Sequence, residues 1–243
     1  MKKKNKKWLV ALIVVAIIII ASIVGINVYA SDSYSANKTA HEALKGSSDV
    51  TVSYLDDDTI VFTPDTITAG LIFYPGGKVE YDAYAPLMMA FAENGYLCIL
   101  PKMPLNLAVL SPNTASKYID DYVTNSDYDW YIGGHSLGGA MASNYAAKNP
   151  DAFKGVYLLG AYASSDLSDT DLDVYLLHGS NDGVLNMDNY EKDLKNLPDD
   201  YHEYVIDGGC HAYFGSYGEQ DGDGTHTITN SEQIQTTVDL LTH

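Results

Sequence analysis

Ser136 stands in the pattern Gly134-His-Ser-Leu-Gly138, which is G-x-S-x-G and can present a serine as a nucleophile. The large apolar residues Trp130 to Ile132 precede it and predict the end of a buried strand, and the small residues after it predict the start of a helix. Such a turn strains the serine backbone, so the residues two before and two after it need almost no side chain. The spacing therefore indicates a nucleophilic serine, although a glycine-rich turn of this kind can also be purely structural.

Two other residues could serve this serine as base and acid. His211 follows the last predicted strand in a glycine-flanked loop, and Asp182 lies in a turn after the strand before it. Catalytic groups gather at the carboxyl ends of the strands in a parallel sheet, so both residues stand where they can reach the serine. His178 also ends a strand and is the rival base, with the order serine, histidine, aspartate. An aspartate in such a turn is also often only a local cap.

These residues need a scaffold that brings strand ends together, and the hydrophobic pattern predicts one. Short apolar runs bounded by turn residues predict strands, and the stretches between them have the length of helices. Strands are expected at residues 50–54, 59–62, 70–74, 96–100, 130–132, 156–160, 174–177 and 203–206, and helices at residues 84–94, 112–123, 136–149, 189–196 and 231–241. This alternation predicts an α/β fold with a mostly parallel sheet of about seven to eight strands and helices on both faces.

The chain from Gly70 onward resembles the α/β-hydrolase superfamily, and more narrowly its compact fold-5 group, which is distantly similar to dienelactone hydrolase. The segments that carry the resemblance are Phe73-Tyr-Pro-Gly-Gly-Lys-Val79, Gly133-Gly-His-Ser-Leu-Gly-Gly139, His178-Gly-Ser-Asn-Asp-Gly183 and Gly208-Gly-Cys-His-Ala-Tyr-Phe-Gly215. In that family the order along the chain is serine, acid, histidine, which favours His211 as the base. The nucleophile of dienelactone hydrolase is a cysteine, so the serine here argues against a lactone substrate.

The resemblance implies hydrolysis of an ester through an acyl-enzyme. A serine hydroxyl is a poor nucleophile until a neighbouring base takes its proton, and His211 would be that base for Ser136. Asp182 would hold the tautomer of the histidine and stabilise the imidazolium.

Attack on the carbonyl creates an oxyanion, which needs N–H donors placed in advance. The resemblance implies that the backbone of Leu137, the residue after the nucleophile, gives one donor. The other should come from the loop at residues 75–78, where Gly77 is preferred and Lys78 is the alternative.

The resemblance also bears on access to the site. Many family members insert a helical lid where this chain has only thirteen residues, 161–173, most of them polar, so no substantial lid is expected. An open site favours small or exposed acyl groups. Tyr162, Tyr213 and Phe214 are weaker candidates for residues that line it.

The first thirty residues are of a different kind. Residues 1–7 carry five lysines, and Trp8 to Val28 carries no charge. About 20 apolar residues can span a bilayer as a helix, and flanking lysines mark its cytoplasmic side. We expect a cytoplasmic tail and a single transmembrane anchor at residues 1–30, a linker at 31–48 and an extracellular hydrolase domain at 49–243. The alternative is a signal peptide cut near Ala30 and a secreted domain.

The charge balance excludes some partners. The chain has 32 acidic residues, 14 lysines and no arginine, for a net charge of −18. Such a surface repels nucleic acid and anionic lipid head groups, and it mildly favours a neutral or cationic substrate. Cys98 and Cys210 are expected to be unpaired, and no Cys/His spacing resembles a zinc site. The turn at residues 221–224 lacks the remaining ligands of a calcium loop, so neither a metal nor a cofactor is expected.

Three hypotheses about function follow. The leading one is a membrane-tethered extracellular serine hydrolase, a carboxylesterase acting on a small-molecule ester. The second keeps the triad but changes the acceptor or the bond, which gives an acyltransferase, an amidase or a lactonase. The third is a surface protein that binds without turnover, against which the complete set of catalytic residue types argues.

Overall fold

One sheet carries the site residues. The structure is a computed structural model, which describes Trp8, residues 11–18, 20–21, 24–25, Val28 and residues 32–242. The strands are β1 (Val50–Asp56), β2 (Thr59–Pro64), β3 (Ala69–Tyr74), β4 (Tyr96–Pro101), β5 (Asp129–His135), β6 (Gly155–Leu159), β7 (Asp173–Gly179) and β8 (His202–Ile206). Their order is β1-β2-β4-β3-β5-β6-β7-β8, with β2 antiparallel to both neighbours and every other pair parallel. The predicted sheet is confirmed.

Helices cover both faces of this sheet, as predicted. They are α1 (Lys38–Ala43), α2 (Ala85–Glu93), α3 (Ser116–Tyr118), α4 (Leu137–Lys148), α5 (Met187–Asp193) and α6 (Asn230–Leu241). Buried side chains of α1, α2 and α6 share one hydrophobic cluster, and those of α3, α4 and α5 share the other. Residues 160–172, where a lid would be inserted, contain no helix.

The sequence explains why the central strands are fixed. All six residues of β3 are buried, and they are apolar apart from glycine because a central parallel strand meets helices on both faces. Helix α6 starts at a capping box, in which the Thr229 side chain accepts from the Glu232 backbone N–H and the Glu232 carboxylate accepts from the Thr229 N–H. These local signals are the kind that a sequence can reveal.

The predicted helix at residues 112–123 differs from the structure. Only α3 is α-helical, and it continues as a π-helical turn at Ile119–Val123. The Tyr74 hydroxyl accepts from Ala115 N at 2.7 Å and donates to Pro112 O at 3.1 Å. These two peptide groups are therefore bonded to a side chain of β3 instead of to a helix.

The segment predicted as a linker is packed onto the domain from Asp32 onward. Tyr34 forms a parallel bridge with Val79, and Ala40 of α1 is fully buried. Asn37 caps this helix, since its side chain accepts from Ala40 N at 3.2 Å. Residues 32–44 are thus an arm of the hydrolase domain and not a free connection.

The predicted membrane anchor falls partly outside the described residues. Residues 9–10, 19, 22–23 and 26–27 of the segment from Trp8 to Val28 are not described. Among the residues that are, no helix is both long enough and apolar enough to cross a bilayer. Residues 11–18 are helical, and their large apolar side chains are about half exposed.

Candidate active site

Ser136 occupies a sharp turn between β5 and α4. Its backbone has φ 52° and ψ −123°, a strained conformation for a residue with a side chain, and its N–H donates to Leu159 O at 2.9 Å. A Cβ atom on Gly134 would lie 2.5 Å from the carbonyl carbon of Gly138, and one on Gly138 would lie 2.1 Å from Tyr74 O. Both glycines are therefore required by the packing of the turn.

Asp182 and His211 form a buried pair. His211 Nδ1 lies 2.8 Å from Asp182 Oδ2, and the two side chains are 2% and 1% exposed. The other carboxylate oxygen, Asp182 Oδ1, accepts from Val184 N at 2.9 Å and Leu185 N at 2.8 Å. Because a carboxylate only accepts, His211 carries its proton on Nδ1. Its Nε2 is buried and has no hydrogen-bond partner among the described residues, so it is an available acceptor.

The serine and the histidine share one cavity of about 250 Å³. Its walls are Ser136, Leu137, Ala140, Gly160, Ala161, Tyr162, Val184, Leu185, Asn186 and His211. The rival base His178 is elsewhere: its Nδ1 lies 3.0 Å from Gly179 O, and its ring packs on Tyr190. The cavity therefore brings together the predicted nucleophile, the preferred base and one donor candidate.

The loop at residues 75–78, here called the Gly-Gly loop, packs against Leu137 at the start of α4. Gly76 N donates to the Tyr84 hydroxyl at 3.0 Å, and Lys78 N donates to Asn106 O at 2.8 Å. The N–H of Gly77 between them has no partner in residues 32–242. Gly77 is packed against Leu137, since a Cβ on it would be 3.0 Å from Leu137 Cδ2. Leu137 opens α4, where backbone N–H groups have no partner within the helix.

Comparisons with known proteins identify the family of the chain. Residues 70–235 match the family model described as "Alpha/beta hydrolase family". The chain belongs to the alpha/beta hydrolase family. The family resemblance seen in the sequence is thereby confirmed.

Solved structures share the fold of this α/β-hydrolase. Dienelactone hydrolase from Anabaena variabilis is 16% identical, with a TM-score of 0.56 over 79% of this chain and 94% of that one. A sugar hydrolase from Lactococcus lactis is 15% identical, with a TM-score of 0.57 over 79% of this chain and 95% of that one. Alpha/beta hydrolase domain-containing protein 10 from mouse is 14% identical, with a TM-score of 0.54 over 79% of this chain and 97% of that one. A search of curated proteins found no match.

Two predicted lining residues of the α/β-hydrolase are not at its cavity. Tyr162 lines it, but Phe214 is fully buried and packs on His135 with ring centroids 5.6 Å apart. Tyr213 lines a separate cavity of about 130 Å³, where its hydroxyl lies 2.6 Å from His226 Nε2. Both follow His211 in a 3₁₀ turn, Ala212–Phe214.

The sequence did not reveal a chain of contacts that joins the Gly-Gly loop to His211 through Tyr84 and His135. The Tyr84 hydroxyl accepts from Gly76 N and lies 2.7 Å from His135 Nδ1, and the His135 ring centroid is 4.4 Å from that of His211. Burial, reinforced by the neighbouring His211 imidazole, holds the pKa of His135 well below its usual value. A neutral His135 therefore packs against the base. Nothing in the sequence separates Tyr84 from the other tyrosines.

Replacing Tyr84 with phenylalanine tests this link. The change leaves Gly76 N–H and His135 Nδ1 without their partner, and a displacement of about 1 Å near the chemistry can cost up to ~10²-fold in rate. We expect kcat for a soluble ester to fall between ~10-fold and ~10²-fold. Tyr118→Phe is the matched control, because that buried hydroxyl bonds Thr59 at 2.8 Å and does not line the cavity. Equal kcat values for both variants and the wild type would contradict the link.

Asp223 is a second residue that sequence reasoning missed, since the turn at residues 221–224 looked only like a turn. Its Oδ1 accepts from Gly183 N and His211 N, both at 3.1 Å, and from Gly224 N at 2.8 Å. Its Oδ2 accepts from Ala212 N at 2.8 Å. The Asp223 carboxylate therefore bonds both the loop that follows Asp182 and the loop that carries His211.

We expect Asp223→Asn to destabilise the protein above about pH 4 and to flatten its acid unfolding. Burial alone would raise the pKa of Asp223, but hydrogen bonds from four backbone N–H groups outweigh it and hold this pKa below its usual value. A depressed carboxyl pKa stabilises the fold above the pKa of the unfolded chain, and that contribution is lost as pH falls through the folded value.

The measurement is Tm between pH 7 and pH 2 for wild type, Asp223→Asn and the neighbouring control Asp221→Asn. Charged hydrogen bonds stabilise by roughly 1–3 kcal/mol, so Tm at pH 7 should drop by roughly 2–12 °C in the first variant only. Parallel pH curves for wild type and Asp223→Asn would refute this role.

Proposed function

We propose that this α/β-hydrolase is a serine hydrolase, and specifically a carboxylesterase that cleaves small or exposed acyl esters. One observation carries the proposal. The buried Asp182–His211 pair leaves His211 Nε2 as an unpaired acceptor in the same cavity as Ser136, whose backbone is held in a strained turn. Strain and a buried unpaired acceptor are costly for stability and useful for nucleophilic catalysis.

The proposed reaction has two steps. In the first, Ser136 Oγ attacks the ester carbonyl, His211 Nε2 takes the serine proton, and the N–H groups of Leu137 and Gly77 stabilise the oxyanion. The C–O bond to the alcohol then breaks, and His211 returns the proton to the leaving alcohol. In the second step, water attacks the acyl-enzyme with His211 as base, which releases the acid and restores Ser136.

The shape of the cavity supports a small acyl group. Ala140, Gly160 and Ala161 form part of its wall, and its volume of about 250 Å³ is below that of most drug-sized pockets. The absence of a helix in residues 160–172 leaves the cavity without a cover from that segment. The names of the similar structures, a dienelactone hydrolase and a sugar hydrolase, support hydrolysis without naming the bond.

A panel of p-nitrophenyl esters from acetate to palmitate tests the substrate class, with p-nitroacetanilide as the matched amide. We expect kcat/KM to be highest for acetate or butyrate and to fall for the long chains, with the amide cleaved far more slowly than the acetate. Preference for the amide would favour an amidase, and transfer to an added alcohol would favour an acyltransferase. No turnover by folded protein would leave a binding protein as the remaining hypothesis.

We also propose that the segment from Trp8 to Val28 holds the domain at the outer face of a membrane. The support is the uncharged sequence, the five lysines before it, and the exposed apolar side chains of residues 11–18. The protein should stay with membranes during carbonate extraction and be digested by protease added to intact cells. Intact mass would reveal cleavage near Ala30, which would convert the proposal to a secreted enzyme.

A further inference from the structure

The chain enters its folded domain beside the Gly-Gly loop. Tyr34 N donates to Lys78 O at 2.7 Å, Glu80 N donates to Tyr34 O at 3.0 Å, and Lys78 Nζ pairs with Asp32 at 3.0 Å. Six residues lead from Val28 to Tyr34. Since an extended residue spans at most about 3.6 Å, the end of the apolar segment lies within roughly 20 Å of this loop.

An exposed apolar surface adjoins the same loop. Leu105, Val109 and Leu110, here called the rim, are 42%, 51% and 45% exposed. The rim follows β4 at the carboxyl edge of the sheet, and Asn106 O within it accepts from Lys78 N at 2.8 Å. The 3₁₀ turn Ala108–Leu110 packs on α4, the helix that begins after Ser136. The rim therefore borders the edge at which the cavity opens.

The charge of this edge differs from that of the rest of the chain. No acidic residue occurs between Glu93 and Asp120, although the chain has 32 acids in 243 residues. Acidic residues flank this segment in the turn after β1, where Asp58 pairs with Lys102 at 3.6 Å, and at Asp32, which pairs with Lys78 at 3.0 Å. Acidic side chains are costly to bring to a lipid surface, and exposed leucine and valine gain by leaving water. A segment of 26 residues without an acid, in an otherwise acidic domain, fits a bilayer.

We propose that the rim docks on the outer surface of the bilayer that holds the N-terminal segment, so that the cavity with Ser136 opens toward lipid and takes membrane-borne esters. This inference rests on the proposed function, and on the proposed tether above all. The short connection from Val28 to Tyr34 restricts the domain to orientations with the Gly-Gly loop near the membrane. The rim is an exposed apolar surface next to that loop.

A fluorescent label on the rim tests the docking. The full chain carrying Leu110→Cys is labelled with the environment-sensitive dye NBD and reconstituted in phosphatidylcholine vesicles; Cys98 and Cys210 are buried and do not compete for the label. Val205→Cys is the matched control, because Val205 is 55% exposed on the edge strand β8, at the far end of the sheet from β1. We expect the emission to shift to the blue on vesicles at position 110 and to stay unchanged at position 205.

A kinetic comparison gives the second readout. The double variant Val109→Ser/Leu110→Ser is assayed on soluble umbelliferyl butyrate and on the same ester anchored in vesicles by a cholesteryl group, beside Val205→Ser. The double variant loses the free energy gained when two apolar side chains leave water on docking. We therefore expect a roughly tenfold lower kcat/KM on the anchored ester. The soluble ester should be cleaved at the wild-type rate by both variants.

The outcomes separate docking from catalysis. Water-like emission at both positions on vesicle-bound protein, or failure of the full chain to join vesicles, overturns the docking. A blue shift at position 110 that appears without lipid and grows with protein concentration assigns the rim to a second copy of the chain and also overturns it. If the folded wild type does not cleave the soluble ester, the esterase proposal is overturned. The fluorescent label on position 110 still reports docking in that case.

Discussion

Replacing Ser136 with alanine is expected to lower kcat for a soluble ester by ~10⁴-fold or more, because removal of a catalytic serine has cost about 10⁶-fold in the best-studied serine hydrolases. The loss follows from chemistry and not from folding. Alanine at this position meets the same backbone strain, φ 52°, as serine does. The measurement is kcat and KM on p-nitrophenyl butyrate with circular dichroism and Tm on the same samples.

Ser168→Ala is the control for Ser136→Ala. Ser168 is exposed, its hydroxyl donates to Asp166 at 2.7 Å, and it is not among the residues that line the cavity. We expect the control to keep the wild-type kcat. A Ser136→Ala variant that retains more than about a tenth of the wild-type kcat would mean that another residue attacks the ester, since background catalysis cannot reach that rate.

Asp182→Asn is expected to lower kcat by about 10⁴-fold, the scale found when the corresponding acid of a serine protease is amidated. The structure gives the reason. Asp182 Oδ1 must accept from Val184 N and Leu185 N, so the amide oxygen of asparagine takes that place and its NH₂ group faces His211 Nδ1. The histidine is then forced to carry its proton on Nε2, which can no longer accept from Ser136.

The comparison for this variant is Asp166→Asn. Asp166 also accepts a backbone N–H, that of Ser168 at 3.0 Å, but it contacts no histidine. Only the Asp182 variant should lose kcat, with little change in KM, because the lost interaction acts on the reacting atoms. Similar kcat values for Asp182→Asn and wild type would remove Asp182 from the mechanism.

Much of the fold was predictable because its signals are local. The buried strands are short apolar runs between turn residues, so most strand ends could be located within one or two residues, although β5 continues three residues past its predicted end. The glycines of the G-x-S-x-G pattern are required by the packing of one turn, because a Cβ on Gly138 would lie only 2.1 Å from Tyr74 O. Asp182 and His211 were identified from their places after strands, and in the structure they lie 2.8 Å apart.

The errors arose where a distant residue decides the local structure. The helix expected at residues 112–123 is interrupted because the hydroxyl of Tyr74, a residue of β3, bonds two of its peptide groups. Asp223 looked like part of a turn because the four N–H groups that it accepts come from loops brought together only by the fold. The arm from Asp32 looked like a linker because its pairing with Val79 leaves no periodic pattern.

The choice of oxyanion donor also needed the structure. In the sequence, Gly77 and Lys78 are adjacent and both lie in the Gly-Gly loop. The fold distinguishes them, since Asn106 O takes the Lys78 N–H while the Gly77 N–H has no partner in the described part of the domain. The packing of Gly77 against Leu137 supports Gly77 as the proposed donor, and the bond that occupies Lys78 comes from Asn106, which belongs to no recognisable motif.

Covalent labelling by a fluorophosphonate tests directly whether Ser136 is the activated nucleophile of a serine hydrolase. Serine Oγ displaces fluoride from phosphorus only when a base removes its proton, so labelling reports the whole catalytic arrangement. Full-length protein is treated with the probe and digested, and the peptides are analysed by mass spectrometry. We expect one probe per chain on the peptide that carries Ser136, and none in folded Ser136→Ala. Unlabelled folded wild type, or a label that persists in Ser136→Ala, would contradict it.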